Sequence, residues 1–528
     1  MMRLKKFKLV EKHYLAFAIV LLALNNTSFG QEEAKIPPNI IYIMSDDHAA
    51  HAISAYGGLY KDVAPTPNID KLANEGALFT NTFCTNAICG PSRAAILTGN
   101  YSNKNGFYKN EGGDPFDGSQ LTFPKLLKEA GYTTALVGKW HLWSEPTGFD
   151  YYKYHILNGE QGSYWNPTYN ENGKEVQEKG YATNLAGDFA IDWLDSMRDK
   201  SKPFCLLYQF KAPHRPWRPD SIYMDLFKGI EIPCPVTFSD DYAGREKTAG
   251  RTMMTIENHL NRRDLKMIPP EGLEGYELGK WERVGDNGEF VSPSDSLVGV
   301  SLKKWKYQRY IKDYLACVRS VDDNIGRVLN YLEANGLVDN TIIVYTGDQG
   351  FYLGDHGWYD KRFMYEESLR MPLIVKYPKE VNPGQKIIET TLNIDFGPTL
   401  LDFAGIEKPT EMQGESFAPI LKGNDIENWR TSMYYHYYEY PKWHNVQPHY
   451  GIRTDRYKLI HFYYDVDIWE FYDLKEDPNE LNNLYNNPEY YDLIGELKKE
   501  LKEQQKKYGD DMHLDEMRKV TEKGMAKH

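Results

Sequence analysis

The chain is short of cysteine, with five in 528 residues: Cys84, Cys89, Cys205, Cys234 and Cys317. So few cannot build a disulfide framework, and an odd number leaves at least one thiol unpaired. Positive charge is also in deficit, with 62 Lys and Arg against 75 Asp and Glu and a net charge of -13. An acidic chain suits neither nucleic acid nor an anionic membrane surface, so neither is expected as a partner. No long apolar run follows the N-terminal one, which argues against membrane insertion of the mature chain. Internal repeats and low-complexity tracts are missing too. What remains, 41% hydrophobic and 14% aromatic residues, is globular composition with material for one large core and a smaller second lobe.

The N-terminus reads MMRLKKFKLVEKHYLAFAIVLLALNNTSFG. Arg3, Lys5, Lys6, Lys8 and Lys12 precede an apolar run from Tyr14 to Leu24, and small or polar residues follow, as in a signal peptide over 1–30 cleaved near Gly30. The run is too short to span a bilayer, and no cysteine stands at the cleavage region to carry a lipid. The expectation is an exported protein, periplasmic or secreted.

From Pro38 to about Tyr377 the apolar strands NIIYIMS, TTALVGKW, FCLLYQF, TIIVYTG and PLIVKYP alternate with helical runs. The longest of these, WKYQRYIKDYLACVRSVDDNIGRVLNYLEANG, places Ile311, Leu315, Val318, Ile325, Val328 and Leu332 on one face before Gly336 stops it. The pattern predicts an α/β fold, a large and mostly parallel sheet sandwiched by helices. After about Asn428, alternating aromatics (SMYYHYYEY, HYGIRTDRYKLIHFYYD, IWEFYDL) predict a smaller antiparallel sheet, followed by a charged helix. The expected boundaries are a main domain over 31–427 and an α+β subdomain over 428–528. A polar stretch from about Cys234 to Val300 is expected as an insertion on the rim of the site.

Polar motifs follow four of the strands, where open α/β sheets bind ligands. IIYIMSDDH brings Asp46 and Asp47, and IIVYTGDQG brings Asp348 and Gln349. A bare Asp-Asp pair is more readily a helix cap or a solvated turn than a ligand pair. If the two strand ends are neighbours, three carboxylates and an amide oxygen make an oxygen-only site suited to Ca²⁺, or to Mg²⁺, rather than zinc. GKWHL brings Lys139 and His141, whose spacing puts both on one face if the strand continues. KAPHRPW brings His214, and DHGWYDKRFMYEES brings Lys361. In CGPSRAAILTG, Pro91 fits the first helical position and Gly99 a stop, so Cys89 falls just ahead of a helix N-terminus, where backbone N–H groups and Arg93 attract an anion. Standing alone, Cys89 reads equally well as a buried cap. A cationic pocket in an acidic chain implies a small oxyanion as the group handled.

These residues resemble the formylglycine-dependent sulfatases of the alkaline phosphatase superfamily. CGPSRAAILTG follows the signature Cys-x-Pro-Ser-Arg-x-x-x-Leu-Thr-Gly, and SDDH, GKWH, PH, TGDQG and Lys361 keep the family's order. The resemblance implies an alkaline phosphatase-like fold and a Cys89 oxidised to formylglycine by a maturation enzyme, then hydrated to a geminal diol. By the same resemblance Asp46, Asp47, Asp348 and Gln349 are Ca²⁺ ligands with the modified Cys89, although Gln349 stands where the family more often has Asn or His. Arg93 holds the diol and the metal cluster, Lys139 and Lys361 grip sulfate oxygens, and His141 and His214 move protons. The diol keeps one free hydroxyl, so attack and release of sulfate need not be the same step.

The stretches DKRFMYEESLRMPLIV and HYGIRTDRYKLIHFYYD resemble those of bacterial carbohydrate sulfatases. The implied substrate is a sulfated carbohydrate, in the first place 6-O-sulfated glucosamine or N-acetylglucosamine attacked from the chain end. Asp360, Arg362 and His449 are the expected sugar contacts, with Lys139, His214 and Lys361 on the sulfate. The competing expectations are another sulfated sugar such as a 2-O-sulfated uronate, a phosphate or phosphonate monoester, and a silent protein that only binds sulfated glycans.

Overall fold

Five parallel strands side by side set the position of everything else. The computed structural model describes residues 36–275, 290–523 and 525; the expected leader over 1–30 and the start of the main domain lie outside them. β1 (Asn39–Ser45), β2 (Thr133–Gly138), β3 (Tyr151–His155), β4 (Phe204–Phe210) and β5 (Thr341–Gly347) run parallel in the order β5-β1-β4-β2-β3. They are the centre of a ten-stranded sheet. On one side Leu373–Lys376 lies antiparallel to β5, followed by Ala77–Phe79 and Gln385–Ile387, and on the other Thr168–Glu171 and Lys174–Gln177 complete the edge antiparallel to β3 and to each other. The segment PLIVKYP therefore joins the sheet against the direction of its neighbours, and the sheet is mixed at both flanks.

Every residue of β1, β4 and β5 is buried, which is why their sequences read as continuous apolar runs rather than alternating ones. Tyr42 packs its ring on Phe123 and Phe396. Ile43, which points the other way, is the register partner of Tyr208, and the Tyr208 hydroxyl lies on the helix face carrying Gly187. One face is thus covered by α1 (Cys89–Thr98) with Phe123–Glu129 and Phe396–Phe403, the other by α2 (Ala182–Asp192) and the 36-residue α3 (Gly299–Ala334).

Register makes the strand ends level. Ser45 pairs with Gly347 on one side and Phe210 on the other, and Gly138 pairs with Gln209. At Gly138 β2 approaches β4 so closely that a Cβ would fall 1.7 Å from the Gln209 carbonyl oxygen, and its φ of 103° is open only to glycine. β2 stops there, two residues short of the expected TTALVGKW.

α1 begins at Cys89 itself, after an extended Ile88, so Cys89 is its first residue rather than the one before it, and Pro91 sits in the first turn. Proline costs nothing there because first-turn N–H groups have no intrahelical acceptor. Gly99 ends the helix at φ 64°, its N–H donating to Ala95 O at 3.0 Å or less.

The last hundred residues hold a meander of β6 (Ser432–Tyr437), β7 (His449–Thr454), β8 (Tyr457–Phe462) and β9 (Ile468–Asp473), antiparallel throughout. α4 (Tyr491–Lys507) lays Ile494, Leu497 and Leu501 against it. From Pro38 onward the chain packs as one compact unit. The described part of 234–298 is irregular apart from a single 3₁₀ turn at Ala249–Arg251. No helix among the described residues is long and apolar enough to cross a membrane.

Candidate functional site

The level strand ends deliver the predicted carboxylates to one point. Asp46 and Asp47 leave β1, Asp348 and Gln349 leave β5, and one oxygen from each of the three aspartates lies within 4.8 Å of the others. Asp47 turns in the left-handed region at φ 64°, and its N–H donates to Asp348 Oδ1 at 3.1 Å. The Gln349 amide donates through Nε2 to Asp47 Oδ1 at 2.6 Å. Its Oε1 is buried without a hydrogen-bond partner among the described residues, and so is Asp46 Oδ1. Two orphaned acceptors beside three fully buried carboxylates fit a hard divalent cation with oxygen ligands, and the longer side chain of Gln349 still reaches the cluster.

The protein's own cations close the cluster. Lys139 Nζ donates to Asp46 Oδ2, Lys361 Nζ to Asp47 Oδ1 at 2.5 Å, and Arg93 Nε and Nη2 to Asp348 Oδ2 at 3.1 and 3.0 Å. Burial opposes ionisation of all three acids. Lys139, His214 and Arg93 nevertheless hold Asp46 well below the usual carboxylate range. Burial lifts Asp47 to about 7, with Lys361 opposing and the charges of Asp46 and Asp348 adding to it. Burial and the Asp46 charge lift Asp348 to about 6.

Cys89 faces this cluster from the start of α1, its Sγ 3.9 Å from Asp47 Oδ1 and only 1% of the residue exposed. Burial, reinforced by the charge of Asp46, raises the thiol far above its ordinary value. An unmodified Cys89 is thus a poor nucleophile, despite the helix start behind it. Arg93, expected to hold the diol and the metal cluster, is bonded to the cluster through Asp348, and its Nη1 donates to Lys139 O and Gln209 Oε1 at 3.0 Å each. It ties together the ends of β5, β2 and β4.

Lys139 and His141 do not share a strand face, because β2 has ended and His141 turns at φ 61°. They meet instead through Gln161, a residue the motifs gave no reason to select. Its Oε1 accepts from Lys139 Nζ at 2.5 Å and its Nε2 lies 2.9 Å from His141 Nε2. The lysine fixes which way the amide points, so His141 Nε2 accepts and carries no proton. His214 Nδ1 donates to Arg215 O at 2.8 Å, which leaves Nε2 bare, 3.7 Å from Asp47 Oδ2. Burial pushes both imidazoles well below their ordinary value, with Lys139 adding to the effect in each case.

Cys89, His141, His214 and Lys361 border a cavity of about 560 Å³. Asp360 and Arg362 stand on the same cavity, held in left-handed backbone at φ 84° and 104°, a strain of the kind concentrated at binding sites. Arg362 Nε donates to Asp360 Oδ1 at 3.1 Å, and His444 Nε2 lies 3.0 Å from Asp360 Oδ2. His449 does not reach the cavity. It is fully buried, its Nε2 accepts from Met364 N at 3.1 Å and its Nδ1 is 2.7 Å from Gln447 O, so both ring nitrogens serve the backbone. The histidine on the wall is His444, which no motif singled out. Trp143 and Trp443 offer exposed rings at the cavity, and Asn261, Arg263 and Asp264 of the expected rim insertion line it. Lys211, also unselected from sequence, is buried at the cavity with its Nζ 5.1 Å over the Tyr164 ring.

The sulfatase family model matches residues 38–406, and a model described as N-sulphoglucosamine sulphohydrolase, C-terminal, matches residues 354–507. The N-acetylglucosamine-6-O-sulfatase of Bacteroides thetaiotaomicron is 48% identical over 530 residues, covering 97% of this chain and 93% of the relative. The N-acetylglucosamine-6-sulfatase of Capra hircus is 28% identical over 426 residues, covering 76% and 66%. Among solved structures, BT4656 in complex with its substrate D-glucosamine-2-N,6-O-disulfate superposes with a TM-score of 0.83 at 48% identity, over 90% of this chain and 99% of that one.

Proposed function

The chain belongs to the sulfatase family, and from that premise we propose that it removes the 6-O-sulfate from glucosamine or N-acetylglucosamine at the end of a sulfated glycan. What carries this reading is one juxtaposition: a sugar-sized cavity lined by Cys89, whose Sγ lies 3.9 Å from Asp47 Oδ1 of the three-carboxylate cluster, and by Asp360, Arg362 and His444. Identity of 48% along nearly the whole chain to an enzyme of that specificity supports it.

Asp46, Asp47, Asp348 and Gln349 would hold Ca²⁺. Converted to formylglycine by a maturation enzyme, residue 89 would supply a hydroxyl nucleophile whose acidity the cation increases. Lys361 borders the cavity and neutralises charge on the sulfate oxygens as they turn outward in the transition state. Lys139, fully buried behind His141, acts by holding Asp46 and Gln161 in place. Lys361, whose Nζ borders the cavity with its protons, and His214, once its bare Nε2 has taken one up, are the groups positioned to protonate the departing sugar oxygen. His141 Nε2, an acceptor in its resting state, is the group positioned to take a proton and release sulfate. Arg362 and Asp360 offer a donor and an acceptor for ring hydroxyls, and Trp143 an apolar face for a ring. The leader residues Met1 to Gly30 would take the enzyme out of the cytoplasm.

Sulfate release from a panel of 2-O-, 3-O- and 6-O-sulfated mono- and disaccharides tests the assignment. Turnover of 6-O-sulfated glucosamine far above the rest is expected. Turnover confined to 2-O-sulfated uronates would refute the sugar while leaving the reaction class intact.

A further inference from the structure

Arg362 is steadied by a carboxylate that never meets the cavity. Glu439 follows β6 and is 1% exposed. Its Oε1 accepts from Arg362 Nη1 at 2.7 Å. Its Oε2 accepts from two consecutive backbone amides, Asn110 N at 2.7 Å and Glu111 N at 3.1 Å. Asn110 then continues the connection, because its Oδ1 accepts from Gly90 N at 3.0 Å, the amide immediately after Cys89. Contact here is tight: a Cβ on Gly90 would fall 2.6 Å from Asn110 Oδ1. β6 makes a second, parallel link. Tyr435 OH accepts from Ala87 N at 3.1 Å and donates to Arg362 O at 2.6 Å.

We propose that Glu439 is a positioning residue for substrate selection: it fixes the Arg362 guanidinium at a set distance from the start of the nucleophile helix, and so determines which sugar hydroxyl pattern brings a sulfate to Cys89. The inference rests on the assignment of Arg362 to the sugar. Its chemistry lies in the acceptor count. A carboxylate presents acceptors on both sides, and here both sides face donors, charged on one and backbone on the other. Glutamine has the same shape but only one acceptor oxygen, so its NH₂ must oppose either the guanidinium or the amide pair. One side opens, and Arg362 keeps only Asp360 Oδ1 and Tyr437 OH, at 3.1 and 3.0 Å, neither of which bonds to Asn110 and through it to the amide after Cys89. Nearby carboxylates do not replace it. Asp360 holds Nε of the same guanidinium, but it turns on the strained segment that carries Arg362 and moves with it.

The test compares Glu439→Gln with the wild type on two esters: the sulfated glycoside that the wild type cleaves fastest, and 4-nitrophenyl sulfate, which has no ring hydroxyls to meet Arg362. Choosing the first probe by wild-type rate means that a wrong sugar assignment changes the probe and not the comparison. The glycoside should lose roughly 10- to 100-fold in kcat/KM, chiefly through KM, while the aryl ester changes by less than about 3-fold. In an Arg362→Ala background, Glu439→Gln should cost less than about 3-fold more, since both act through one guanidinium. Equal losses on both esters, or full multiplication of the two effects in the double variant, would overturn the proposal. If Glu439→Gln does not fold, Glu439→Asp keeps the charge at shorter reach. It should show the same bias against the glycoside, and equal losses on the two esters would again count against the role.

Discussion

Arg93 bonds a single oxygen of Asp348 through both Nε and Nη2, at 3.1 and 3.0 Å, while its Nη1 spans to Lys139 O and Gln209 Oε1. One guanidinium therefore fastens three strand ends under the carboxylate cluster. Arg93→Ala leaves Asp348 buried with a like-charged neighbour, and a loss of about 3–5 kcal/mol is expected. Arg93→Lys keeps the charge but not the fork, so its stability should fall in between. Urea denaturation of the two variants measures both.

Cys89→Ala should abolish sulfate release without changing thermal unfolding by more than a few degrees, because the side chain contributes little to the core and much to the chemistry. Calorimetric titration with the intact sulfated sugar should still detect binding. Loss of binding along with turnover would show that residue 89 helps hold the ground state.

Removing divalent cations with a chelator should lower both activity and stability, and Ca²⁺ should restore them. The pH dependence gives a second readout. Burial raises Asp47 to about 7 and Asp348 to about 6, against 3.8 for an unperturbed aspartate. The folded, cation-free protein holds protons that the unfolded chain has released, so their stabilising effect is complete below about pH 4 and is lost as pH rises toward about 7. A bound cation displaces those protons, and the decline across that window should flatten. Unfolding curves at several pH values, with chelator and with Ca²⁺, decide the point.

A proton donor matters most when the leaving group is poor. His214→Ala should lower kcat on a sugar sulfate by about 10²–10⁴-fold. On 4-nitrophenyl sulfate, whose phenolate leaves without help, the loss should be at least about tenfold smaller. A uniform loss on both esters would assign His214 to the sulfate instead of the leaving oxygen.

The wall makes contrasting predictions for two residues that look alike in sequence. Arg362→Ala should raise KM for the sugar and, by leaving Glu439 and Asp360 buried without their guanidinium, cost about 3–5 kcal/mol, whereas His449→Ala should destabilise by about 1–3 kcal/mol and leave selectivity among sugars unchanged, since its nitrogens hold Met364 N and Gln447 O. Steady-state kinetics and denaturation, run on both variants, separate the two.

The chemistry at the strand ends was legible because it is local: Asp46, Asp47, Asp348, Gln349 and Cys89 each sit in a short motif beside an apolar strand or a helix start, and parallel pairing does the rest. What escaped is what depends on long loops. Gln161 meets His141 across 20 residues that take in all of β3, and Glu439 meets Asn110 across 329. Nothing in either neighbourhood marks the partner. His449 was a natural choice from its aromatic surroundings, but residues on one strand alternate faces, and only the packing of β7 decides which face is wet. His444, in the loop before that strand, takes the place at the cavity. The expectation of Lys139 and His141 on a common face failed for a steric reason, the close approach at Gly138 that ends β2.

The burial of Cys89 has a consequence in time. The loop leading to it is closed by β6: Thr85 O accepts from His436 N and Ala87 N donates to Tyr435 OH, a bond between residues 348 positions apart. On the proposed conversion of Cys89 to formylglycine, a maturation enzyme would have to grasp CGPSR before that strand is in place. At the usual 5–20 residues per second of synthesis, the span between the two segments lasts roughly 20–70 seconds. On that reading the opportunity to convert Cys89 would close with folding itself.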